Sequence, residues 1–65
     1  MKLIPKEAWE MLNPKSQGYV LYMQEEWPGS ELKGLSNPYR KDSKEWKAFE
    51  EGERIACLDA QDSEE

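Results

Sequence analysis

A chain of 65 residues forms one domain with a thin core, because a chain of this size buries only about 60% of the surface that its unfolded form exposes. Three Trp, three Tyr and one Phe favour folding over disorder, although 35% of the residues are charged. A single cysteine excludes an internal disulfide, and the lack of histidine argues against a zinc site. The N-terminus carries no signal-peptide core, and no apolar run approaches the ~20 residues of a membrane span. We therefore expect a cytoplasmic protein without a metal, cofactor or membrane partner.

The net charge of −5 is unevenly distributed along the chain. Four acidic residues lie within positions 59–65, so residues 1–58 carry a net charge of only −1. Between positions 33 and 47, five basic residues stand against two acidic ones. The sequence therefore predicts a near-neutral body with one basic patch, and a disordered acidic tail over 59–65.

Two helix starts occur close together near the N-terminus. Pro5 is preorganised for a first helical turn, and a short helix is predicted over 5–12. Asn13 followed by Pro14 is a second start signal, with Asn as the cap, and predicts a helix over 14–27. This second helix is apolar on two sides, which is typical of an element that packs between two neighbours.

The connection predicted over 28–42 is rich in proline and glycine and is long for so small a domain. Leu32, Leu35 and Tyr39 are its apolar residues, and we expect them to hold it against the body. Of the three tryptophans, at least two are expected in the core. Trp27, at the end of its helix and next to Pro28, is the one expected to be partly exposed.

The closing helix is predicted over 43–60. A capping box starts it in this interpretation, with the Asp42 carboxylate accepting from the Glu45 N–H and the Glu45 side chain reaching back. Its inward sector on a helical wheel tapers from aromatic to small side chains, namely Trp46, Phe49, Gly52, Glu53, Ala56, Cys57 and Ala60.

Glycine in mid-helix costs about 1 kcal/mol relative to alanine, so Gly52 needs a compensating reason. With Ala56 and Ala60 it forms a ridge of small residues that lets another helix approach closely, and the second helix near Gly18 is the expected neighbour. The predicted fold is all-α. It consists of a helical hairpin of two main helices with a proline-rich connecting loop and a short additional N-terminal helix, in a single domain over 1–58. Structural roles are assigned to Gly18, Tyr19, Pro38, Asp42, Trp46, Phe49, Gly52 and Ala56.

The order and spacing of several short motifs resemble bacterial ribosome modulation factor and its small relatives. The motifs are Gln17-Gly18-Tyr19 at the opening of a helix, Asn37-Pro38-Tyr39 in the loop, and Ser43, Trp46, Gly52 and Ala56 in the closing helix. The resemblance implies two main helices joined by a proline-tyrosine connection. It also implies docking on the small ribosomal subunit, which requires a basic surface. That family is strongly basic, whereas this chain is acidic and has an extra N-terminal helix and an acidic tail.

Only the basic patch could serve as an rRNA-facing surface in this chain. Its candidate binding residues are Lys33, Tyr39, Arg40, Lys41, Lys44 and Lys47, with Tyr39 stacking on an unpaired base and the cations meeting phosphates. A different interpretation makes Tyr39 a packing residue under the loop and the cations mere solubilising groups.

A second function class is a small acidic interaction or inhibitor protein of the phage or mobile-element type. Its acidic clusters, Glu25-Glu26 with Glu31, Glu50-Glu51 with Glu53, and the acidic tail, would face a basic host protein or mimic nucleic acid, or else form a solvated face. Catalysis is the least supported class, because the chain has no phosphate-binding glycine loop, no histidine base and no activating partner for Cys57. Homodimerisation is a further expectation, since a thin core gains from a second copy.

Overall fold

The computed structural model describes residues 2–62, apart from the side chain of Asp62, and shows an all-α fold as predicted. The helices are α1 (Lys6–Glu10), α2 (Pro14–Gln24) and α3 (Lys44–Asp62), and residues 25–43 connect α2 to α3. No helix in this part of the chain is long and apolar enough to cross a membrane. Both α1 and α2 end earlier than predicted. After α2 the chain tightens into three-residue turns, in which the Trp27 N–H donates to the Gln24 carbonyl (3.0 Å) ahead of Pro28.

Of the two N-terminal helix starts, the second is built as predicted, whereas Pro5 lies just before α1 and not in its first turn. Asn13 caps α2, because its Oδ1 accepts from the Ser16 N–H at 2.8 Å and Pro14 follows at the first helical position. Pro5 precedes α1 in an extended conformation. The free Lys6 N–H of α1 donates to the Glu31 carboxylate at 2.9 Å, which ties the long connection to the first helix.

The predicted cap of α3 is wrong. Asp42 has a φ of +70°, in the left-handed region, so it forms the turn before the helix and does not cap it. The cap is Ser43, whose Oγ accepts from the Trp46 N–H at 3.1 Å while its carbonyl accepts from the Lys47 N–H at 3.0 Å. Aspartate is among the few non-glycine residues that tolerate this conformation, which is why it suits the turn.

The close approach of α2 and α3 through glycine is confirmed. A Cβ placed on Gly18 would lie 2.9 Å from the carbonyl carbon of Phe49 and closer still to its oxygen. A Cβ placed on Gly52 would meet the Lys15 carbonyl in the same way and would lie 3.0 Å from the Tyr19 nitrogen. The obstacles are backbone atoms, which cannot rotate away. Each helix therefore needs a glycine at the crossing.

The core gathers one or two side chains from every element. Trp9 of α1 meets Phe49 of α3 edge to face, with ring centroids 6.3 Å apart and an interplanar angle of 85°. Leu21 of α2 and Leu32 of the connection are fully enclosed with them. The apolar residues of the connection hold it to the body, as expected. The inward sector predicted for α3 is also confirmed, since none of its seven residues is exposed.

Two expectations about the periphery need correction. Only Trp9 of the three tryptophans is buried, whereas Trp27 and Trp46 are both half-buried, so two tryptophans do not share the core. The predicted tail boundary at 59 also differs, because α3 continues to Asp62 and the Tyr19 hydroxyl donates to the Asp59 carboxylate at 2.8 Å. Residues 63–65 of the predicted tail lie outside the described residues.

Candidate functional site

The five cations of the predicted patch are all exposed, and four of them lie just before or within the first turns of α3. Lys33 lies in the turn over 31–34, Arg40 and Lys41 directly precede the helix, and Lys44 and Lys47 lie in its first turns. None of the five forms an ion pair with a carboxylate of residues 2–62. Their charge is therefore directed to solvent and is available to an external anion.

The location of these cations increases the positive potential at this end of the molecule. The first N–H groups of a helix carry a partial positive charge, so Lys44 and Lys47 stand at the end of α3 that disfavours cations, typically by ~0.3–1 kcal/mol each. Cations at this end of a helix lower its stability, so a gain in stability does not explain their position.

The segment that carries Arg40 and Lys41 is anchored to α3 by Asn37. The Asn37 Nδ2 donates to the Trp46 carbonyl and to the Glu50 carboxylate, each at 3.2 Å. Its Oδ1 accepts from the Tyr39 N–H at 3.1 Å, which closes a local turn around Pro38. The chain just before the two cations is thus held in place, which lowers the entropy cost of binding a partner.

Tyr39 does not serve the predicted stacking role in this arrangement. Its ring is half-buried and packs edge-on against Phe49, with centroids 6.3 Å apart. Its hydroxyl donates to the Gln17 side-chain oxygen of α2. Both the ring and the hydroxyl are occupied inside the fold, so the packing interpretation of Tyr39 is the correct one, and the candidate surface is reduced to the cations.

The hydrogen bond from Tyr39 belongs to a polar network that sequence reasoning missed. Gln17 donates from Nε2 to the Trp9 carbonyl (3.1 Å) and accepts at its own carbonyl from the Trp9 indole N–H (2.9 Å). Two helical turns further along α2, the buried side-chain amide of Gln24 donates to the Lys2 carbonyl and accepts from the Ile4 N–H, both at 2.9 Å. Two glutamines seven residues apart, and therefore on the same face of the helix, were the available signal.

A cluster of carboxylates lies across the α2–α3 seam. Partial burial, followed by the charge and hydrogen bond of Glu50 and then the charge of Glu25, raises the pKa of Glu53 to about 7. Glu53 thus holds a proton in roughly half of the molecules at neutral pH. Within residues 2–62, these carboxylates do not form a group that could hold a metal ion.

The described residues show no arrangement typical of a nucleophile. Cys57 is half-buried, and its Sγ accepts a weak contact from the Gln61 amide at 3.9 Å. No family model, curated protein or solved structure matches this chain.

Proposed function

We propose that this protein is a non-catalytic, ribosome modulation factor-like binder of structured RNA, with ribosomal RNA as its first candidate partner. The basic surface, formed by Arg40, Lys41, Lys44 and Lys47 at the start of α3 together with Lys33 of the connection, would make the contacts. The observation that carries the proposal is that all five cations are exposed and without an ion pair in the described chain, on a segment anchored to α3.

Phosphate neutralisation is the physical basis of such binding. A protein that places cations on phosphates releases condensed counterions, so its affinity falls steeply with salt. Five cations predict a modest affinity compared with a fully basic protein, and the overall charge of −5 restricts binding to this one surface. With Tyr39 packed inside, we expect recognition of backbone geometry and little base preference.

Reversing charge inside and outside the basic surface tests the proposal. Arg40→Glu with Lys41→Glu should abolish co-sedimentation with small ribosomal subunits at low salt. It should also lower the slope of log affinity against log salt by about 1.5–2. Lys2→Glu with Lys6→Glu makes the same change in net charge at exposed positions near the N-terminus and should leave most of the binding intact.

Equal losses in the two double variants would show that net charge alone drives binding and would contradict a defined surface. If the Arg40/Lys41 variant still co-sediments with small ribosomal subunits, these two residues do not contribute to binding.

The acidic interaction protein remains the second candidate function. Glu25, Glu50 and Glu53 come together across the seam, which favours a basic protein partner. The raised pKa of Glu53 weakens this alternative, because partial protonation lowers the negative charge of the cluster at neutral pH. Affinity purification that recovers a stoichiometric non-ribosomal protein would favour it over RNA binding.

A further inference from the structure

The side of α3 that faces away from α2 carries exposed apolar surface among alternating charges. Leu58 is 53% exposed, and Ile55 beside it is half-buried. They line a shallow groove of about 450 Å³ together with Lys47, Glu50, Glu51 and Arg54. Of these residues, only Lys47 belongs to the basic surface, so most of the groove is unexplained by RNA binding.

The spacing along this face is that of a helix-pairing seam. Ala48, Glu51, Ile55 and Leu58 follow one another at intervals of three, four and three residues, which places them in one stripe. The inward stripe of α3, with Gly52 and Ala56, is already occupied by α2. The groove stripe is therefore a second surface on which α3 can pack against a helix.

The charge pattern of this face is complementary to the same face on a second copy of the chain. Glu51 and Arg54 lie one turn apart, so an antiparallel copy related by a two-fold axis between them would place each Arg54 against the other Glu51. In the same register, the methylene stem of Lys47 would cover Leu58 of the second copy. A parallel arrangement would instead place identical charges opposite one another. An isologous interface requires this kind of self-complementarity.

We propose that a second copy of this chain docks in the groove of α3 and forms an antiparallel homodimer. Glu51 already pairs with Lys15 at 3.6 Å, but both side chains are more than half exposed, so the pair is weak and Glu51 remains accessible. The proposal does not rest on RNA binding and is tested without RNA.

Sedimentation equilibrium on the full chain, between about 10 and 500 µM with a reductant present, measures the association directly. The wild-type protein should approach twice the monomer mass of 7.6 kDa. Leu58→Lys should weaken association at least about tenfold, because its ammonium group would face Lys47 of the second copy. Met11→Lys is the matched control, because Met11 is 86% exposed, lies after α1 and is outside the groove, so the dimer should stay intact.

Charge reversal tests the register. Arg54→Glu should weaken the dimer by roughly tenfold, since two carboxylates would then face each other, and adding Glu51→Arg should restore it. Circular dichroism should show folded helices in all variants, because every substituted position is exposed. A wild-type chain that is monomeric throughout the concentration range overturns the proposal. So does a dimer insensitive to Leu58→Lys, or a double reversal that fails to recover association.

Discussion

Glu53 combines an ionisable group with a position in the helix seam. Its pKa of about 7 lies above the ordinary value of 4.5, because burial and the nearby carboxylate of Glu50 disfavour its charged form. The folded protein binds this proton more tightly than the unfolded chain does. The resulting stabilisation is complete below pH 4.5 and is lost as the pH rises to about 7.

Glu53→Gln should therefore raise the free energy of unfolding at pH 8 by about 1 kcal/mol, a figure reduced for screening at a partly exposed site. At pH 4 the substitution should have almost no effect, since Glu53 is then neutral in both states. Thermal unfolding followed at pH 4, 6 and 8 checks this. A variant that is less stable than wild type at pH 8 would contradict the assigned cause.

At the scale of the element, the start of α3 depends on two residues with different roles, Asp42 and Ser43. Asp42 supplies the left-handed turn, and Ser43 supplies the oxygen that satisfies the Trp46 N–H. The sequence offers two adjacent residue types that both favour caps, so pattern alone could not decide between them. The turn geometry decides, because the positive φ of Asp42 excludes it from the extended conformation that a cap usually adopts.

Ser43→Ala should lower the free energy of unfolding by about 1 kcal/mol through loss of the cap. Asp42→Gly should be neutral or stabilise by up to about 1 kcal/mol, because glycine adopts a positive φ without steric cost. Chemical denaturation of both variants gives the comparison. If Asp42→Gly lowers the free energy of unfolding more than Ser43→Ala does, Asp42 and not Ser43 would be the cap of α3.

For the whole molecule, the crossing of α2 and α3 sets the distance between the two main helices. Gly18 and Gly52 each face backbone of the opposite helix, so any side chain there must separate the helices and disturb the core around Phe49. Alanine is the better helix former by about 1 kcal/mol, yet it is incompatible with this contact.

Gly18→Ala and Gly52→Ala should each destabilise the fold by about 1–3 kcal/mol through overpacking. Glu51→Ala, next to Gly52 but exposed, should change stability by less than about 0.5 kcal/mol. Melting temperatures at one protein concentration provide the measurement. An alanine variant at either glycine with an unchanged melting temperature would show that the crossing is looser than the geometry indicates.

The sequence by itself determined the all-α class, the three helix starts to within one or two residues, the inward stripe of α3 and the glycine seam. These features depend on local propensity and on helical periodicity, which neighbouring residues encode. Tertiary structure alone decided the packing of Tyr39, the two buried glutamines, the hydrogen bond from Tyr19 to Asp59 and the raised pKa of Glu53. Each of these features depends on contacts between residues that are far apart in the sequence. A local sequence pattern does not determine how closely such residues approach one another.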